Sequence, residues 1–154
     1  MYLKIIYLKL KNVLLVLALL AIGSVGIAQS QFNLTPGHVN ALIPGQQVSA
    51  GYLTLANQGN QDETLVSFSS DAAAMVQLHE STMNNGMMSM KHIESLVIPA
   101  GESVQFQPGG LHLMMMGADS EAFSGESIDV DLHFSSGAVV TANLPIKNMM
   151  HSGH

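Results

Sequence analysis

Residues 74–93 read Ala74-Met75-Val76-Gln77-Leu78-His79-Glu80-Ser81-Thr82-Met83-Asn84-Asn85-Gly86-Met87-Met88-Ser89-Met90-Lys91-His92-Ile93. Two runs without helical period, 74–81 and 87–93, flank the turn signal Asn84-Asn85-Gly86. Asn-Gly at the centre of a two-residue connection favours a type I′ turn, whose twist matches that of the strands it joins. A turn centred on Asn85-Gly86 sets His79 against His92, Ser81 against Met90 and Met83 against Met88. His79 and Met90 then become diagonal neighbours on one face, about 7–8 Å apart along the backbone and within reach of a shared ion.

The same pattern extends along the chain. Runs 48–55, 63–69, 103–107, 111–116, 127–134 and 139–144 alternate or are β-branched. Between them stand Asn57-Gln58-Gly59-Asn60, Pro99-Ala100-Gly101, Pro108-Gly109-Gly110 and Ser135-Ser136-Gly137, residues that turns require. Nothing shows a sustained helical period; residues 117–123 suit a short turn at most. Many short strands at even spacing predict a single all-β domain, a sandwich or Greek-key barrel. In 111–116 the pleat sends His112, Met114 and Met116 to one side and Leu113 and Met115 to the other. Leu113 and Met115 are expected in the core.

The ends differ from this body. Lys4, Lys9 and Lys11 precede an apolar stretch at 13–22, and Gly26-Ile27-Ala28 offers small residues for cleavage. Residues 1–28 therefore read as a secretory signal peptide, and the expected location is the periplasm. The apolar stretch is short for a membrane span. With no cysteine in the 154 residues, neither a lipid-anchored cysteine nor a disulfide is expected. The domain is placed at 29–146 and a flexible Met/His tail at 147–154. Beyond residue 28 two basic residues face 11 acidic ones, a net charge of −9 with histidine neutral. Such a surface repels nucleic acid and anionic lipid. Membrane contact is expected only through the signal segment or a partner.

Four donors stand at fixed intervals: His79, Met90, His112 and Met114, an H-x10-M-x21-H-x-M pattern. With 7 His and 11 Met in the chain, chance yields it on the order of one time in a thousand. Thioether sulfur selects Cu(I) among common biological metals, whereas Mg2+ and Ca2+ want oxygen. Neither donor type must shed a high-pKa proton, so such a set works near neutral pH.

The spacing resembles the signature of the periplasmic copper chaperones of the PCuAC family. The flanking text is similar too: Leu78-His79-Glu80, Met83-Asn84-Asn85-Gly86, Met88-Ser89-Met90, Ile98-Pro99-Ala100-Gly101, and the run from Pro108-Gly109-Gly110 through His112 and Met114 to Gly117. The resemblance covers roughly 34–145 and implies a cupredoxin-like fold. It also implies Cu(I) held by the four motif residues, and a copper acceptor that is the CuA centre of a haem–copper oxidase or a chaperone serving it. Some members carry His/Met-rich tails implicated in Cu(II) binding, which points to His151 and His154 as accessory ligands. His38 stands where the family usually has an aromatic residue.

The remaining donors are weighed one by one. Met88 shares the parity of Met90 and is its rival or accessory; Met83 and Met87 sit at the turn. Met75 is read as a core gap-filler. His92 is read as an exposed cross-strand residue outside the motif, and His133 as a half-exposed strand residue. A blue-copper electron carrier would need a cysteine thiolate, which is lacking. No catalytic triad, phosphate loop or carboxylate pair stands near the histidines, so an enzyme is not expected. The expected protein is a monomeric copper chaperone that hands on Cu(I) by ligand exchange. Copper sequestration without a dedicated acceptor is the alternative, and a purely structural β-domain a more distant one.

Overall fold

Apolar side chains at every second position curl this chain into strands that close on one another. The computed structural model describes residues 31–148. Its strands are β1 (Phe32–Asn40), β2 (Val48–Asn57), β3 (Glu63–Ser69), β4 (Ala73–Asn84), β5 (Met87–Ile93), β6 (Leu96–Ile98), β7 (Ser103–Phe106), β8 (Leu111–Ala118), β9 (Ser127–Phe134) and β10 (Val139–Lys147). One 3-10 turn, Ala122–Ser124, falls at the end of the segment where a short turn is expected. The ladder runs β4-β8-β2-β1-β10-β9-β3 and returns to β4, so seven strands form a closed barrel. All pairings are antiparallel except β1 with β10. The all-β single-domain expectation holds. The expected leader at 1–28 and the expected accessory ligands His151 and His154 lie outside the described residues.

The core is filled from every wall: Leu53 and Leu55, Leu65, Val76 and Leu78, Leu113 and Met115, Val130 and Leu132, Leu144. Leu113 and Met115 have no exposed surface, while Met114 and Met116 between and beside them are half-buried on the outer side. The alternation expected of 111–116 is thus realised. Asn57 is buried at the end of β2 with its amide fully used. Its Nδ2 donates to the carbonyls of Gln61 at 2.8 Å and Ile98 at 3.0 Å, and its Oδ1 accepts from the Gly59 N–H at 3.0 Å. That network fixes the 57–61 turn against β6.

Three features depart from the expected strands. β1 is longer than any run legible from 32–40, because a bulge between Thr35 and His38 interrupts its period. Gly37 is required there: a Cβ would lie 1.9 Å from the Tyr52 carbonyl oxygen. β6 is a three-residue strand, too short to show a period. Met75 is 51% exposed rather than in the core, since β4 begins at Ala73 and gives Met75 the outward parity of Gln77 and His79.

β5 pairs with β4 alone and leaves the barrel as an edge strand, exposed along its length except at Ile93. Asn85 and Gly86 have φ of 52° and 78°, the two positive values that a type I′ turn needs. The register follows: His79 opposes His92, Ser81 opposes Met90, Met83 opposes Met88.

Inward and outward positions of β8 should differ sharply in cost. Leu113→Ala is expected to lower unfolding free energy by about 2–5 kcal/mol, and Met114→Ala by about 1 kcal/mol or less. Urea denaturation of the metal-free protein measures both; equal losses would contradict the assigned faces.

Candidate metal centre

β4 is paired on both sides, with β5 at one edge and β8 at the other. His79 therefore faces His92 across one ladder and His112 across the other, and the three histidines form one row on the outer face. The ring of His79 lies 5.5 Å from that of His92 and 6.1 Å from that of His112, centroid to centroid. One step along β4, Ser81 opposes Met90; one step the other way, Gln77 opposes Met114. The two motif methionines are thus diagonal to His79 on opposite sides.

A pocket of about 210 Å3 opens on this face, lined by Met90, His112 and Met114 together with Val48, Ala50 and the segment between β1 and β2. Three of the four motif donors meet there, and His79 stands in the adjoining position of the row. The wall contributed by Asn40, Ala41, Ile43 and Gln46 was not foreseen. Nothing in Pro44-Gly45 beyond a turn signal marks that loop as part of a site. Met88 is 66% exposed opposite Met83, one step nearer the hairpin tip, and does not line the pocket.

Protons on the two imidazoles are set by their neighbours. His112 is buried, and its Nδ1 lies 3.0 Å from the Gly110 carbonyl oxygen. A carbonyl only accepts, so Nδ1 donates and Nε2 is the nitrogen left for a metal. The same carbonyl accepts the Ser81 N–H at 3.0 Å, which ties the ring's orientation to β4. His79 Nε2 lies 3.2 Å from Gln77 Oε1, whereas its Nδ1 is buried with no hydrogen-bond partner. With Nε2–H donating to the amide oxygen, Nδ1 presents an unused lone pair. An orphaned buried acceptor is costly unless something binds it, and an electrophilic metal ion fits that need. Burial lowers the pKa of His79, and the neighbouring His92 and His112 lower it further. The ring is therefore held in the neutral, ligating form.

Among the described residues, no three His, Asp or Glu side chains already surround a common point. The thioethers of Met90 and Met114 are further soft donors on this face.

A family model described as Putative lipoprotein LpqE-like matches residues 32–146, the span of the barrel. The chain belongs to the LpqE-like family. The LpqE-like barrel is similar to the putative lipoprotein Lxx21020 of Leifsonia xyli, at 34% identity over 68% of this chain and 63% of that one. It is also similar to the uncharacterized protein RP573 of Rickettsia prowazekii, at 26% identity over 65% of this chain and 56% of that protein. The chain thus spans less than two thirds of the length of these curated relatives. In fold it matches the copper-bound PCuAC domain from PmoF2, with a TM-score of 0.64, 17% identity, and coverage of 79% of this chain and 96% of that one. The structure of CuI-DR1885 from Deinococcus radiodurans matches with a TM-score of 0.60 and 26% identity, over 86% and 87% of the two chains. The resemblance to PCuAC proteins read from the sequence is borne out.

The depressed pKa of His79 has a stability consequence. The folded state resists protonating this ring, so the unfolded chain takes up the proton first as pH falls. The contribution is whole above the ordinary value of 6.5 and is lost as pH drops below it. The melting temperature of the metal-free LpqE-like barrel should fall between roughly pH 7 and 5, and fall less in His79→Gln. Identical pH profiles for the two proteins would refute this role for His79.

Proposed function

We propose that this protein is an exported copper chaperone that binds one Cu(I) through His79, Met90, His112 and Met114. The observation that carries the reading is the pocket in which Met90, His112 and Met114 meet, with His79, whose Nδ1 is unpartnered, directly opposite His112. Two imidazoles and two thioethers suit Cu(I), and no thiol or other high-pKa group must lose a proton to bind. The PmoF2 domain is described as copper-bound and the Deinococcus protein as its Cu(I) form, which supports the same cargo here.

The protein's part is to capture and release, not to catalyse. His112 is buried and oriented by the Gly110 carbonyl, so it serves as the fixed ligand. Met114 is half-buried beside it, and Met90 is 50% exposed on the edge strand. An acceptor can displace the exposed thioether first, then take the ion from the pocket, because neutral thioether ligands exchange without any proton transfer. A storage site would instead enclose the metal. This gradient of exposure favours delivery over sequestration as the role. The acceptor that the PCuAC resemblance implies is an oxidase CuA centre or its assembly chaperone.

Export to the periplasm follows from the leader read at 1–28 and accords with the lipoprotein names of the relatives. In this reading the exported domain acts as a monomer.

Competition with a chromophoric Cu(I) chelator tests the site. One-to-one binding is expected, weakened by at least roughly ten- to hundredfold in Met114→Leu and His112→Gln. Met114→Leu keeps the side-chain volume, so its loss reports sulfur rather than packing. Binding that neither substitution alters would reject this site. Failure of the loaded protein to yield copper to a tighter acceptor would reject delivery.

A further inference from the structure

The motif does not use His92, yet β5 places it nearer to His79 than Met90 is. His92 is directly opposite His79, whereas Met90 is one step along and diagonal. Directly opposed residues of an antiparallel pair have Cβ atoms about 4.5–5.5 Å apart, against roughly 7–8 Å on the diagonal. The ring centroids of His79 and His92 are 5.5 Å apart. Two imidazoles sharing one ion through metal–nitrogen bonds of about 2.0 Å have centroids roughly 4.5–6 Å apart. The pair already has the separation of a chelate. His92 is exposed on the edge strand, open to an ion from solvent.

His112 does not belong to the same nitrogen set. It lies on the far side of His79 at 6.1 Å, so the three rings form a line with His79 in the middle. No three of these groups enclose one point. His79 can turn toward His112 and the pocket or toward His92 and the edge, but it has one free lone pair, on Nδ1. The two arrangements differ in chemistry. Toward the pocket the donors include two thioethers, Met90 reaching it from β5 and Met114 from β8; at His92 they are imidazole nitrogen completed by water. Cu(II) prefers nitrogen and oxygen in a tetragonal field, and thioether prefers Cu(I).

We infer that His79 and His92 form a second, nitrogen-only copper position for Cu(II), sharing His79 with the Cu(I) pocket so that only one of the two is filled at a time. The choice of copper as its metal rests on the function proposed above; the residues do not. No change of oxidation state is part of the inference: each position takes the ion in the state supplied.

The test uses the full protein carrying His151→Ala and His154→Ala, so that tail histidines cannot contribute. Cu(II) is titrated and followed by electron paramagnetic resonance, and Cu(I) is titrated separately against a chelator. One equivalent of Cu(II) with two-nitrogen hyperfine structure is expected. His92→Ala should weaken Cu(II) binding by roughly tenfold or more and leave Cu(I) affinity unchanged; Met114→Leu should do the reverse. His79→Ala should weaken both. Protein preloaded with one Cu(I) should take up no Cu(II) at this position. Cu(II) binding absent from the starting protein, or unchanged by His92→Ala, overturns the second position. Cu(I) binding indifferent to Met114→Leu instead overturns the pocket, whatever His92 does. His92 is solvent-exposed, so the variant's circular dichroism should match that of its parent.

Discussion

Everything about the outer face depends on how β4 is paired to β8. In that ladder Leu78 opposes Leu113 and His79 opposes His112. The leucines are buried in the core and the histidines face outward one residue away, so a single register sets both packing and ligand placement. A slip of one residue would send every side chain to the opposite face, burying imidazoles among apolar groups and exposing leucines. Burial of Leu78, Leu113 and Met115 thus holds the site's geometry. The Gly110 carbonyl adds a local lock, accepting from both the Ser81 amide and the His112 ring. Fold energy and ligand orientation come from the same few contacts.

β5 obeys a different constraint. It has one neighbour and almost no buried surface, so its position rests on the hairpin turn and its ladder to β4. Edge strands with exposed apolar side chains invite unwanted pairing. Met87, Met88 and Met90 are nevertheless all at least half exposed there, as is Met83 opposite them on β4. A chain selected only for stability would place charge at those positions. Soft donors kept at solvent on a weakly anchored strand suit an ion that must enter and leave, and a buried His112 suits an ion that must be held meanwhile.

The parts legible from sequence were those governed by the period of two and by an Asn-Gly turn. Asn85-Gly86 dictated the hairpin, and with it the opposition of Ser81 to Met90 and of His79 to His92, because few residues tolerate positive φ. Leu113 and Met115 were assigned inward by parity alone, and they are fully buried. Illegibility had equally physical causes. β1 hides its period behind the bulge at Gly37, where a neighbouring carbonyl comes too close for any Cβ. Met75 looked like a core residue because methionine usually fills gaps, but its parity with His79 puts it outside. The β1–β2 loop beside the pocket left no trace, since a wall made of Asn40, Ala41, Ile43 and Gln46 carries no donor pattern to read.

His92 shows where reading by motif stops and reading by register continues. A spacing pattern selects residues that recur at set intervals, so it passes over a histidine that is close only through pairing. Register treats all three imidazoles alike and ranks the other two by distance from His79. The middle ring then becomes the contested group: its Nε2 is engaged with Gln77 and its Nδ1 is free, so it can serve one side at a time. Sulfur in the pocket and nitrogen with water at His92 would sort the two oxidation states of one metal by donor preference. The sorting needs no moving domain. It needs only rotation of one half-buried ring between two neighbours that the β4 ladders hold in place.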